Sequence, residues 1–279
     1  MSAALVDRAF LRTPHGLIHY RHAGDAASAS TPLIIAHGGP GSSAGLAPLI
    51  ADLAADRRVA APDMMGNGES DPPPATPTSI AFYAEGLLAV MDHLGLSQVD
   101  VYGHHTGAQV VCELAIAHPD RIRRLVLDGV GLFADEQREE FLERYAPAIT
   151  PDADGAHLAW VWDFISQTTQ YFPHYRRDEA NRIENGAALP PPVITTRAAE
   201  VLKVWPTYHL SYQAAFSHPF AQRLSLLSAP TLVLEVARDP LAVYAARAAD
   251  SVAGARLATI TAAERAQAIR AFLIAPPSA

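Results

Sequence analysis

Val99-Asp100-Val101-Tyr102-Gly103-His104-His105-Thr106-Gly107-Ala108-Gln109-Val110-Val111 is the stretch on which the fold turns. Its first four residues read as a short strand. Gly103 to Gly107 reads as a sharp bend, and Ala108 to His118 as a helix stopped by Pro119. Working outward, strand-like runs recur at Leu33–Ala36, Arg58–Pro62, Arg124–Asp128, Thr231–Val236 and Leu257–Ile260. Between most of them lie helical patterns, one capped by Thr78 or Ser79 and running to about Leu94. Strand and helix alternating at this spacing predict an α/β chain with a mostly parallel sheet, covered by helices on both faces. Ahead of it, Phe10–Arg12 and Leu17–His22 read as two strands around a Pro14-His15-Gly16 turn.

The rhythm breaks after Asp128. From about Phe133 to Phe220 the chain holds helical pieces, proline breaks and clustered aromatics, and no clear strand. This predicts a helical cap over residues 133–220, inserted in a core made of residues 1–132 and 221–279.

With 279 residues, about half of them apolar, the chain can bury one sizeable core. Cys112 is the only cysteine, which excludes a disulfide framework and a cysteine metal cluster. The net charge of -8 argues against nucleic acid and anionic membrane as partners. No apolar stretch approaches the ~18 residues of a membrane span, and Met1 to Ala9 lacks the apolar core of a signal peptide. The expectation is a cytoplasmic monomer or homodimer that binds a small molecule.

Three segments share one pattern. They are His37-Gly38-Gly39-Pro40-Gly41, Asp63-Met64-Met65-Gly66-Asn67-Gly68-Glu69-Ser70 and Gly103-His104-His105-Thr106-Gly107, each following a predicted strand. Together they resemble the α/β-hydrolase superfamily, closest to its proline-iminopeptidase-like and epoxide-hydrolase-like branches. The resemblance runs from about Leu17 to Leu273. It implies the α/β-hydrolase fold, an oxyanion loop at His37–Gly41 and a nucleophile elbow, G-x-S-x-G, at Gly103–Gly107. It also implies an acid at Asp239 or, one strand earlier, at Asp128.

The chain departs from that pattern twice. His105 stands where the superfamily usually carries serine, and no histidine follows His218, so the general base expected after the last strand is missing. A Ser-Asp-His triad in the superfamily's order is therefore impossible.

An imidazole titrates near neutrality and accepts a proton there. His105 is thus a candidate general base, nucleophile or binding residue. Asp128, ending the neighbouring strand, is the first choice of orienting carboxylate and Asp239 the second. His209 is the candidate second acid-base group. Backbone N–H groups at Thr106 and the Gly38–Gly39 turn are the expected oxyanion donors. His37 is expected to shape the loop and is also a candidate substrate-binding residue, and Trp160 and Tyr208 are expected to line an aromatic lid for a partly apolar substrate. His104 is expected to point away from the site, and Glu264 falls in the region of the absent histidine. No metal set is expected, because adjacent histidines diverge; no cofactor is expected either.

Three functions stay open at this point. One is hydrolysis of an ester, lactone, amide or activated C–C bond by water that His105 activates with Asp128. Another is non-hydrolytic proton transfer: a lyase, isomerase, epimerase or cyclase. The third is a catalytically silent ligand-binding protein.

Overall fold

The computed structural model describes residues 4–74 and 78–276. The strands are β1 (Asp7–Thr13), β2 (Gly16–Ala23), β3 (Leu33–Ala36), β4 (Val59–Pro62), β5 (Val99–His104), β6 (Ile122–Asp128), β7 (Thr231–Val236) and β8 (Arg256–Ile260). The helices are α1 (Ala47–Leu53), α2 (Ile80–His93), α3 (Thr106–Ala117), α4 (Asp135–Arg144), α5 (Ala156–Gln167), α6 (Pro191–Lys203), α7 (Tyr208–Ser217), α8 (Phe220–Leu224), α9 (Ala245–Asp250) and α10 (Arg265–Ile274).

All eight strands join one sheet in the order β1-β2-β4-β3-β5-β6-β7-β8. The β1–β2 hairpin and the β2–β4 pair are antiparallel, and every pair from β4 to β8 is parallel. Every residue of β3 and β4 is buried. Such strands carry continuous apolar runs because helices cover both faces. One face packs α2, α3 and α9, through residues such as Leu87, Val111 and Ala248. The other packs α1 and α10, through Ile50, Leu53, Ile269 and Leu273. The Ser79 hydroxyl accepts the Phe82 N–H at 3.1 Å and starts α2 where a cap was expected.

β3 lies between β4 and β5. The chain crosses to opposite sides of β3, so the segments after β3 and β5 part and leave a crevice at the sheet's C-terminal edge. His37–Gly41 and the bend at His105 meet there.

Between β6 and β7 lie α4 to α8 and no strand among the described residues; Tyr171 and Arg182 form a single bridge. This insertion has its own aromatic core. Phe141 and Phe216 sit 5.1 Å apart, and Tyr145 and Phe216 5.3 Å, each such pair contributing about 0.5–1.5 kcal/mol beyond burial. α7 belongs to both layers: Tyr208, Tyr212 and Phe216 face the insertion, while Ala214 and Ala215 pack on the sheet side. No helix among the described residues is long and apolar enough to cross a membrane.

Candidate active site

His105 occupies the tip between β5 and α3 with φ 51° and ψ -115°. A non-glycine residue held there costs on the order of 1–3 kcal/mol. The surroundings enforce it. The His105 N–H donates to the Asp128 carbonyl at 2.8 Å. The bend is also too tight for side chains at its two ends. A Cβ on Gly103 would lie 2.2 Å from the Gly107 carbonyl oxygen, and one on Gly107 2.3 Å from that of Ala36.

The bend throws the imidazole toward the loop after β7. Its Nε2 lies 2.7 Å from Asp239 Oδ2. A second contact permits this reach. A Cβ on Gly129, where φ is 71°, would fall 2.1 Å from His105 Cδ2 and 2.6 Å from Nε2. Asp239 is held in turn, its Oδ1 accepting the Leu241 N–H at 2.8 Å. The side chain of His105 is 29% exposed, and its Nδ1 makes no hydrogen bond to the described residues. With Nε2–H donated to the carboxylate, Nδ1 carries the lone pair of the neutral ring.

Burial works against charge on His105. The charge and hydrogen bond of Asp239, helped by the charge of Asp128, outweigh it and raise the pKa. On Asp239 burial is likewise overcome by His105, which holds the carboxyl well below the usual carboxylate range.

Asp128, the first choice of partner, is placed otherwise. Its carboxylate is fully buried and accepts the Tyr102 hydroxyl at 2.6 Å and Arg265 Nε at 2.7 Å. Only its backbone carbonyl touches His105. The region of the missing histidine is thus filled by Arg265, while Glu264 points back to cap Thr261. His209 does not line the cavity; its ring stands against Tyr208.

His37 does shape its loop. Its Nδ1–H donates to the Gly38 carbonyl at 2.8 Å and its Nε2 accepts the Met64 N–H at 2.9 Å. Both nitrogens are thus occupied, an accepting Nε2 requires the neutral ring, and burial lowers its pKa. His104 does not point away. Its ring stacks on His105 with centroids 4.0 Å apart and planes 14° apart.

A cavity of about 640 Å³ opens over this edge, lined by Gly38, Gly39, His104, His105 and Thr106 from below. Phe133, Tyr145, Phe172, Tyr212 and Phe216 line it from the insertion side. Trp160 and Tyr208 do not. Trp160 stacks on Phe164 at 5.2 Å, and the buried Tyr208 donates its hydroxyl to the Pro147 carbonyl. Both fill the insertion's interior, because their helices turn them toward α5 and α7 neighbours. The Ser42 hydroxyl donates to Glu200 of α6 at 2.5 Å and ties the loop after β3 to the insertion.

His104, His105 and Asp239 offer ligand atoms within 4.8 Å of one another. A metal bonds imidazole in the ring plane, and two stacked rings keep their lone pairs in parallel planes that do not converge. The cluster suits a proton better than an ion.

A sequence profile for the alpha/beta hydrolase fold matches residues 31–253. The chain belongs to the α/β-hydrolase fold family. It is similar to a 2-hydroxymuconate semialdehyde hydrolase of Pseudomonas sp. (strain CF600), 39% identical over 104 residues, 36% of this chain and 37% of that one. The matched stretches span about a quarter to two-fifths of the length of the first curated relatives. Two solved structures share the fold. The bromoperoxidase of Bacillus anthracis has a TM-score of 0.74 at 19% identity, covering 96% of this chain and 99% of that one. The enol-lactonase of Burkholderia xenovorans LB400 has 0.67 at 19%, covering 95% and 96%.

In this α/β-hydrolase-fold chain the residue at the tip after β5 is a histidine, and it reaches Asp239 beyond β7 directly. Gly129, Tyr102, Arg265 and Glu200 were not singled out from the sequence. A glycine directly after a strand at the ligand edge is a readable signal for Gly129. Arg265 stands where the family's terminal-loop histidine is absent, which marks the position but not its partner. Nothing in the sequence points to Tyr102.

Proposed function

We propose that this α/β-hydrolase-fold chain is a cofactor-independent enzyme for a small organic molecule, with His105 and Asp239 as a general-base dyad. The observation that carries the reading is the 2.7 Å His105–Asp239 contact at the floor of the cavity, which leaves Nδ1 without a partner among the described residues. Nδ1 takes a proton from water as the water oxygen attacks an ester, lactone, amide or activated C–C carbonyl carbon. Charge building on the carbonyl oxygen meets the Thr106 N–H, which as the first of α3 has no intrahelical acceptor. An N–H of the Gly38–Gly39 turn completes the oxyanion hole. The imidazolium, stabilised by Asp239, then returns the proton to the leaving group. The insertion acts as a lid whose aromatic face favours a partly apolar substrate. The hydrolase relatives support the small-molecule class.

The test is turnover of a 4-nitrophenyl ester, a lactone and a 1,3-diketone in wild type and His105→Ala, with ¹⁸O-water tracing incorporation. Proton transfer by a positioned group contributes about 10²–10⁴-fold, and kcat/KM is expected to fall by that factor. Undiminished turnover in His105→Ala sinks the dyad. A second reading is proton transfer without water, favoured by the lack of both an elbow serine and a histidine after β8. It predicts α-proton exchange of the diketone in D₂O with no ¹⁸O uptake.

A further inference from the structure

Successive side chains of a strand point to opposite faces, so the residue before the elbow should leave the site. His104 ends β5, and the positive φ of the next residue breaks that alternation. Both rings reach the same cavity and stack at 4.0 Å. The His104 ring makes no hydrogen bond to the described residues. The oxyanion loop lies directly against it: a Cβ on Gly38 would sit 3.1 Å from His104 Nδ1 and 3.2 Å from His105 Cβ. An oxygen held by the Gly38–Gly39 and Thr106 N–H groups is therefore a neighbour of the His104 ring.

We propose that His104 is a second substrate-facing imidazole, donating a ring N–H to the substrate oxygen on which charge builds while His105 Nδ1 takes the proton. This rests on the reading of His105 as base. His104 keeps its own proton throughout, so the step adds a hydrogen bond and no bond is broken. Its surroundings keep the ring neutral. Burial first, then the neighbouring His105 and Arg265, push its pKa down to about 4 against the opposing charges of Asp128 and Asp239. A neutral imidazole polarises a carbonyl without protonating it.

The probe is 4-nitrophenolate at alkaline pH, where it is an anion, with nitrobenzene as its counterpart lacking the oxygen. Binding is read by absorbance for 4-nitrophenolate and by competition for nitrobenzene. His104→Phe keeps the stacked ring and removes the donor; His104→Gln retains an N–H. Hydrogen bonds to charged groups support an expected loss of about tenfold in 4-nitrophenolate affinity for His104→Phe, and about threefold or less for His104→Gln. Nitrobenzene affinity is expected to stay level. Unchanged 4-nitrophenolate binding in His104→Phe overturns the proposal. So does a parallel loss of nitrobenzene, or no saturable binding to wild type. Should His104→Phe fail to fold, the ¹⁵N shifts of the wild-type ring decide: a His104 N–H unmoved by the probe overturns it. Failure of the base reading shows separately, as turnover retained in His105→Ala.

Discussion

Two aspartates end neighbouring parallel strands, or the turn just beyond one, and they have opposite fates. Asp128 closes β6 with its carboxylate sealed between Tyr102 and Arg265. Asp239 lies three residues past β7, beyond the positive-φ Arg238, and presents its carboxylate to His105. Adjacency to the elbow strand made Asp128 the nearer candidate. A strand-end side chain, however, follows the pleat into a helix-covered face, whereas a turn residue is free to lean over the edge. Reach past the strand therefore matters more than strand adjacency in deciding which carboxylate meets His105.

The largest expected effect comes from Asp239→Asn. It removes the charge opposite His105 and misorients Nε2, and kcat/KM should fall by about 10³-fold. Asp128→Asn should act on stability instead. It leaves Arg265 facing a buried site without its counter-charge, a loss of about 3 kcal/mol, read by urea denaturation. A fall in turnover at unchanged stability would exchange the roles of the two aspartates. Gly129→Ala leaves both carboxylates in place but pushes the imidazole off Asp239. A displacement of that size costs roughly 10²-fold in kcat/KM, and a wild-type rate would show that the ring has another route to the acid.

The pH profile gives the smallest and sharpest test. His105 must be neutral to act as base, and its pKa is raised by Asp239. Log kcat/KM should thus rise with pH and level off only above the ordinary histidine value of about 6.5. In Asp239→Asn the ascending limb should move to lower pH. Stability carries the matching sign. The His105–Asp239 attraction is fully present below about 6.5 and is lost as pH rises through the folded-state value. An ascending limb that does not move would detach Asp239 from the titrating group.

Much of the scaffold was legible. Apolar runs as short as Leu33–Ala36 identified their strands, because a strand buried on both faces tolerates little else. The bend at Gly103–Gly107 was legible because backbone packs against backbone there. The aromatics of the insertion between β6 and β7 were harder. Trp160 and Tyr208 are as aromatic as Tyr212 and Phe216, and only the rotation of each helix decides which ring meets the cavity. The direction of His104 was not legible because period-two alternation fails at the bend that follows it.

By itself the sequence pointed to an α/β-hydrolase scaffold and placed a histidine on its sharpest bend. Those conclusions need only local pattern and chain order. The contact of His105 with Asp239 and not with the Asp128 carboxylate, the stacking of His104 on His105 and the need for a glycine at position 129 were decided by the tertiary structure. Each depends on side chains from separate strands converging within a few ångströms, and such distances are set by loop direction and packing, on which spacing along the chain is silent.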